Sequence, residues 1–222
     1  MAAWAEAYRA NNGVKTVKMV QNGIRPEGIA MLIKDGLSNC TGLEMLDLQD
    51  NTFTSPGSEA LAKAVVRWER MVELGVGDCL LGRGCTKVAK ALGEGKNKGL
   101  KILRLQYNEI DGNGVKAFKD ALEKALPVLE KLELNGNKFS EDDEVVLEIN
   151  DIFAERGFGE LDELDEMEEE SDEEDEEEDE EEEEEKEDVV KRAKEQEEQK
   201  VAPEKDKTVD DLADSLAKKV TV

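Results

Sequence analysis

Apolar residues recur in one register through the first 140 residues. Five segments carry it: VKTVKMVQNGI from Val14, LEMLDLQDNTF from Leu43, MVELGVGDCLL from Met71, LKILRLQYNEI from Leu100 and LEKLELNGNKF from Leu129. Positions 1, 4, 6 and 11 are apolar in every segment, and position 9 holds Asn22, Asn51, Cys79, Asn108 or Asn137. Successive position 9 residues lie 28 or 29 residues apart. Positions 4 and 6 alternate with outward-facing neighbours, the period of a short strand with one buried face. Past position 11 the period lengthens. Leu61, Ala64, Val65 and Trp68 recur at helical spacing in the second unit, as do Val115, Phe118, Ala121 and Leu122 in the fourth.

Each unit is therefore one strand followed by one helix, and neither buries its apolar face alone. Stacking them predicts an α/β solenoid, a horseshoe with a parallel sheet on one side and helices on the other. The pattern L-x-x-L-x-L-x-x-N-x-L is that of a leucine-rich repeat, and a unit of 28–29 residues suits the ribonuclease-inhibitor-like class with a full helix per repeat. The position 9 column is expected to hydrogen-bond backbone as a ladder between repeats, Asn22, Asn51, Asn108 and Asn137 as amides and Cys79 as a small weak donor. Gly28, Gly57, Gly84 and Gly114 precede the helices and are read as turn residues. Gly75, Gly77, Gly82 and Gly84 fall at repeat positions without a GxxxxGKS/T motif, so a phosphate loop is set aside.

The ends differ. After the fifth segment, Val145, Val146, Ile149, Ile152 and Phe153 form an apolar helical stripe closed by Arg156 and Gly157, with Ser140, Asp143 and Glu144 as its start signal. This reads as a polar C-terminal cap. Residues 2–10 have the composition of a repeat helix with no strand before it, which leaves the strand of Val14–Met19 as an open sheet edge. The expectation is a chain that continues a longer solenoid whose N-terminal repeats are missing, and that self-associates or is marginally stable alone.

Charge divides the chain further. Residues 1–159 carry 24 acids and 21 bases, residues 160–188 carry 24 acids and one Lys, and residues 189–222 carry eight of each. The expected organisation is a solenoid over 1–159, a disordered acidic tail over 160–188 and a mixed-charge end over 189–222. In that end, Val209, Leu212, Ala213, Leu216 and Val220 follow Thr208 at helical spacing. A net charge of −26 argues against nucleic acid and toward basic protein partners. The absence of histidine excludes histidine-based catalytic triads and His-ligated metals. Cys40, Cys79 and Cys85 show no paired spacing and read as reduced thiols. No apolar run approaches the length of a membrane span and no signal-peptide pattern opens the chain.

The residues VKMVQNGIRPEGI (Val17 to Ile29), LDLQDNTFT (Leu46 to Thr54), LRLQYNEI (Leu103 to Ile110), LELNGNKFSEDD (Leu132 to Asp143), RGFGELDELDEMEEE (Arg156 to Glu170) and the terminal DDLADSLAKK closely resemble the fungal Ran GTPase-activating proteins. The likeness includes residues outside the repeat framework, such as Gln21, Arg25, Pro26 and Gln106. It implies a regulator that binds the small GTPase Ran in its GTP form and stimulates Ran's own hydrolysis, supporting nucleocytoplasmic transport from a cytoplasmic, perinuclear location. Such a protein is not itself an enzyme and holds no cofactor, because GTP and Mg²⁺ belong to the GTPase. The family positions the GTPase's catalytic glutamine and excludes water, a mechanism of orientation. Its catalytic asparagine and arginine lie in earlier repeats without counterpart here, so no catalytic residue is carried over.

Partner contacts are expected on the strand face and the loops that follow it. The candidates are Lys18, Gln21, Arg25, Asp47, Asp50 and Asp78, with Ran, and a Ran-binding protein beside it, as partners. The alternative is a non-catalytic acidic leucine-rich-repeat scaffold that binds histones or other basic proteins.

Overall fold

The computed structural model describes residues 1–165 and 167. The acidic stretch from 168 and the helical pattern after Thr208 lie outside the described residues.

Helix α1 (Ala2–Ala10) leads into five strand–helix units. Their strands are β1 (Thr16–Lys18), β2 (Met45–Asp47), β3 (Glu73–Gly75), β4 (Ile102–Arg104) and β5 (Lys131–Glu133). Their helices are α2 (Pro26–Met31), α3 (Thr54–Val65), α4 (Cys85–Leu92), α5 (Gly112–Ala125) and α6 (Glu144–Arg156). A further strand, β6 (Glu160–Leu161), ends the sheet. All six strands are parallel and pair in chain order. Thr16, Met45, Glu73, Ile102 and Lys131 share one register, so each repeat advances the sheet by one strand without slippage. Right-handed crossovers then place every helix on the same side.

Position 4 of each repeat fills the layer between sheet and helices: Val17, Leu46, Leu74, Leu103 and Leu132 are all buried. Each leucine so buried contributes about 1.5–3 kcal/mol. Trp68 at the end of the second unit is fully buried, and its Nε1 donates to the Leu37 carbonyl at 3.0 Å. The indole therefore bridges repeats without leaving its one donor unpaired.

The ladder runs through the three inner amides. Asn51 Nδ2 donates to the Met19 and Leu48 carbonyls at 2.8 Å each, and its Oδ1 accepts from Ile24 N. Asn108 and Asn137 repeat the arrangement two and three units on. Cys79 Sγ reaches the Leu48 and Gly77 carbonyls at 3.4 and 3.3 Å, so a thiol holds its place in the column. Asn22 does not join. It is exposed and donates to Val20 of its own turn, at 2.9 Å, because β1 is the edge strand of the sheet among the described residues.

Two expectations are corrected. Gly57 and Gly114 lie inside the first turns of α3 and α5, Gly28 lies inside α2, and Gly84 is the residue before α4; none has positive φ. They serve close approach instead: a Cβ on Gly84 would stand 2.5 Å from Ser58 Cβ, and one on Gly114 2.6 Å from Cys85 Sγ. The loop conformation is set at position 8, where Gln21, Asp50, Asp78, Tyr107 and Gly136 all take φ between +51° and +71°. The body also extends beyond residue 159. Glu160 and Leu161 pair with β5, Leu164 is buried, Leu161 and Met167 pack on the core, and Asp162 accepts the Leu134 and Asn135 backbone N–H at 2.7 and 3.1 Å. Burial raises the Asp162 carboxyl despite those two hydrogen bonds. The cap helix α6 ends as expected in left-handed Gly157, and Arg156 donates to the Leu122 carbonyl of α5 and to the carbonyl of Leu126 just past its end.

Candidate functional site

On the face of the sheet away from the helices, positions 3, 5 and 7 carry most of the chemistry. Arg104 on β4 ion-pairs with Glu73 on β3 and with Glu133 on β5, the latter at 3.4 Å. Lys131 joins Glu133 at 2.7 Å. Burial opposes the Arg104 charge, but the Glu73 hydrogen bond and the nearby Glu133 and Asp47 carboxylates outweigh it and raise its pKa. The strand alternation that sends Leu74, Leu103 and Leu132 inward sends these charges outward, Arg104 level with Glu133 and diagonal to Glu73.

A second chain of polar contacts crosses the third repeat. Gln106 Nε2 donates to Gln49 Oε1 at 2.8 Å, and Gln49 Nε2 donates to Asp47 Oδ1 at 3.0 Å. The third repeat has Gly75 and Gly77 where others carry side chains. A Cβ on Gly77 would stand 2.5 Å from Gln106 Cδ, so the bare repeat is what allows Gln106 to reach Gln49 two strands away. This is the use of two of the four glycines that superficially suggest a phosphate loop.

The sequence candidates fall into two groups. Lys18 and Arg25 are exposed, on β1 and before α2. Gln21, Asp50 and Asp78 lie on successive loops at φ +55°, +56° and +51°, all presented at the ends of the strands. Asp47 is different: it is only 7% exposed, lies beside Lys18 in the strand register, and is occupied by Gln49. It supports the face more than it lines an open surface. Exposed apolar residues stand among these loops: Val20, Leu80 and Tyr107 are 43–44% exposed. Leu80 was not singled out in the sequence, although an apolar residue at the variable position 10, there at φ +53°, is a readable signal. Gly136 clears room for Tyr107, since a Cβ there would stand 2.2 Å from the tyrosine ring. An edge combining exposed apolar side chains with carboxylates on a rigid sheet is suited to a protein surface of opposite charge.

The other chemistry is inert. Burial pushes the Cys79 and Cys85 thiols up to about 12. Among the described residues no cluster has the make-up of a metal site, and no helix is long and apolar enough to cross a membrane.

Comparison with known proteins agrees with this geometry. A family profile described as Leucine Rich repeat matches residues 39–62 and 96–119. The chain is 46% identical over 140 residues to Ran GTPase-activating protein 1 of Saccharomyces cerevisiae, an alignment that takes in 61% of this chain and 34% of that protein. The chain thus spans about a third of the length of the curated relative it matches. With five repeats in one register, the chain has a leucine-rich-repeat solenoid fold and is similar in sequence, over 140 residues, to a Ran GTPase-activating protein.

Proposed function

We propose that the chain acts in stimulating GTP hydrolysis by a Ran-class small GTPase, binding it in the GTP form through the loops at the ends of β1 to β4. The observation that carries this reading is the row of position 8 residues, Gln21, Asp50, Asp78 and Tyr107, fixed by the sheet and flanked by exposed Val20 and Leu80. Lys18 and Arg25 extend the row at one end. The reading draws on the 46% identity to a protein named for that activity. GTP and Mg²⁺ are the GTPase's own, and the chain's contribution is to bind and orient, with no catalytic group assigned to it. The proposed setting is cytoplasmic and perinuclear.

Single-turnover hydrolysis by Ran loaded with GTP, with and without this chain, tests the assignment of roles. Saturable binding without a large acceleration is the expected result, and a large acceleration would show that the catalytic region lies within these repeats. The acidic run over 160–188, net −23, favours a second reading as a scaffold for basic proteins. Competition between Ran and histones for the chain separates the two, because a strand-loop site for Ran leaves binding unaffected by stoichiometric histone.

A further inference from the structure

The helix side of the molecule holds a cleft that the strand-face reading does not use. It lies where the second helix of the chain changes character: after Met31 the backbone opens into a wide π turn over Leu32–Gly36 and then a tight 3₁₀ turn over Leu37–Asn39. Such a widened turn is frequent at functional positions. Gly36 is pressed against α1, where a Cβ would stand 2.8 Å from Ala5 Cα, so this segment is held toward the N-terminal helix. Between it and α3 a cleft of about 390 Å³ remains.

Methyl groups of Ala30, Ala60 and buried Ala64 form the floor of the cleft, and the exposed lining residues include Lys34, Lys63 and Arg67. Glu59 is the one acid lining it, and Lys63 neutralises that acid at 2.5 Å. The hydrogen bond from Lys63 leads the causes that hold the Glu59 carboxyl low, and Lys87 adds to them. Lys34 and Arg67 have no side-chain ion pair among the described residues. The surroundings have the same sign. Residues 26–39, 54–70 and 82–98, which build the helix side of the first three repeats, contain nine Lys or Arg and five acids, in a chain of net charge −26.

We propose that this cleft is a docking site for an acidic peptide segment of a partner protein, with an aliphatic side chain seated on the alanine floor and flanking carboxylates against Lys34 and Arg67. The charge complementarity fixes the sign of the ligand, and the apolar floor fixes its class. A phosphodiester backbone has no apolar group to place on methyl surface, so the lining favours a ligand that carries both carboxylates and an aliphatic side chain. An amphipathic peptide carries only a few charges and brings the apolar anchor that the floor accepts. The cleft is lined by residues of the helical segments and by none of the strand-end loop residues Gln21, Asp50, Asp78 and Tyr107. This inference stands apart from the GTPase reading, and its test uses no GTPase.

The test is fluorescence anisotropy of a labelled peptide of about twelve residues, two leucines flanked by glutamates, titrated with the full chain at low salt. Saturable binding is expected, weakening as salt is raised. Lys34→Glu with Arg67→Glu should lower the affinity by about tenfold or more, while Lys116→Glu on α5 should change it less than about twofold. Replacing the peptide leucines by serine should also cost about tenfold, a readout that leaves the protein unaltered. Binding that survives the double charge reversal, a serine peptide that binds equally, no binding at all, or tighter binding of a single-stranded oligonucleotide of equal charge would each overturn the proposal.

Discussion

Replacing Asn108 by Ala tests how much of the fold rests on the amide ladder. Asn108 is fully buried. Its Nδ2 donates to the Val76, Leu105 and Gln106 carbonyls at 2.8, 3.0 and 3.2 Å, and its Oδ1 accepts Cys79 N and Leu81 N at 3.1 and 3.3 Å. Two of those carbonyls keep another donor: Leu105 has Asn137 Nδ2, and Gln106 has Asp78 N. The Cys79 and Leu81 N–H groups and the Val76 carbonyl are left unpaired in the core. At about 1–3 kcal/mol for each of the three, Asn108→Ala should cost about 3–9 kcal/mol, a large part of a typical domain's stability. In a body of this size that lowers the melting temperature by about 10 °C or more. Asn22→Ala removes one exposed bond within its own turn and should cost less than about 0.5 kcal/mol. Urea unfolding followed by far-ultraviolet circular dichroism measures both. A loss below about 1 kcal/mol for Asn108→Ala, or equal losses for the two variants, would refute the ladder energetics.

Other substitutions address packing, charge and the partner face. Gly84→Ala should destabilise by about 1–3 kcal/mol through its clash with Ser58, and Ser58→Gly in the same chain should recover part of that loss in a double-mutant cycle. Arg104→Met should cost about 2 kcal/mol, because Glu73 and Glu133 then repel each other on a half-covered face, and low pH should lessen the penalty. Cys79 and Cys85 titrate near 12 when folded, well above an ordinary thiol, so the unfolded chain releases these protons first as pH rises. Their contribution is intact below about pH 9 and is lost between there and pH 12, at about 1.4 kcal/mol per pH unit for each thiol. Alkaline unfolding curves read this, and a thiol reagent should label neither residue at pH 8 without denaturant. Asp50→Lys with Asp78→Lys should slow association with Ran-GTP about tenfold at low salt while altering dissociation little, as measured by surface plasmon resonance.

Much of the architecture was legible because a repeat states the same physical requirement five times. Position 4 must be buried in every strand, and Leu46, Leu74, Leu103 and Leu132 are. Position 9 must satisfy backbone from inside a turn, and Asn51, Asn108 and Asn137 do. What escaped depends on neighbours in space. Asn22 matches the motif but has no preceding strand to bond among the described residues. The glycines before the helices suggested turns, whereas Ser58 and Cys85 of adjoining repeats explain them by contact. Strand β6 is two residues inside an acidic run, too short to show a period. Asp47 reads as a surface acid because alternation gives its direction, yet Gln49 covers it and Gln106 extends that cover across Gly77. The helix-side cleft was invisible because a π turn leaves no mark in the hydrophobic pattern.

Amide hydrogen exchange on the full chain, alone and with Ran bound to a non-hydrolysable GTP analogue, bears most directly on the central proposal. Protection should concentrate in the loops that carry Gln21, Asp50, Asp78 and Tyr107, and Ran-GDP should give little of it. Protection confined to the outer helices α3 to α5, or equal protection by both nucleotide forms, would contradict the assignment of the strand-end loops as the GTPase-binding edge.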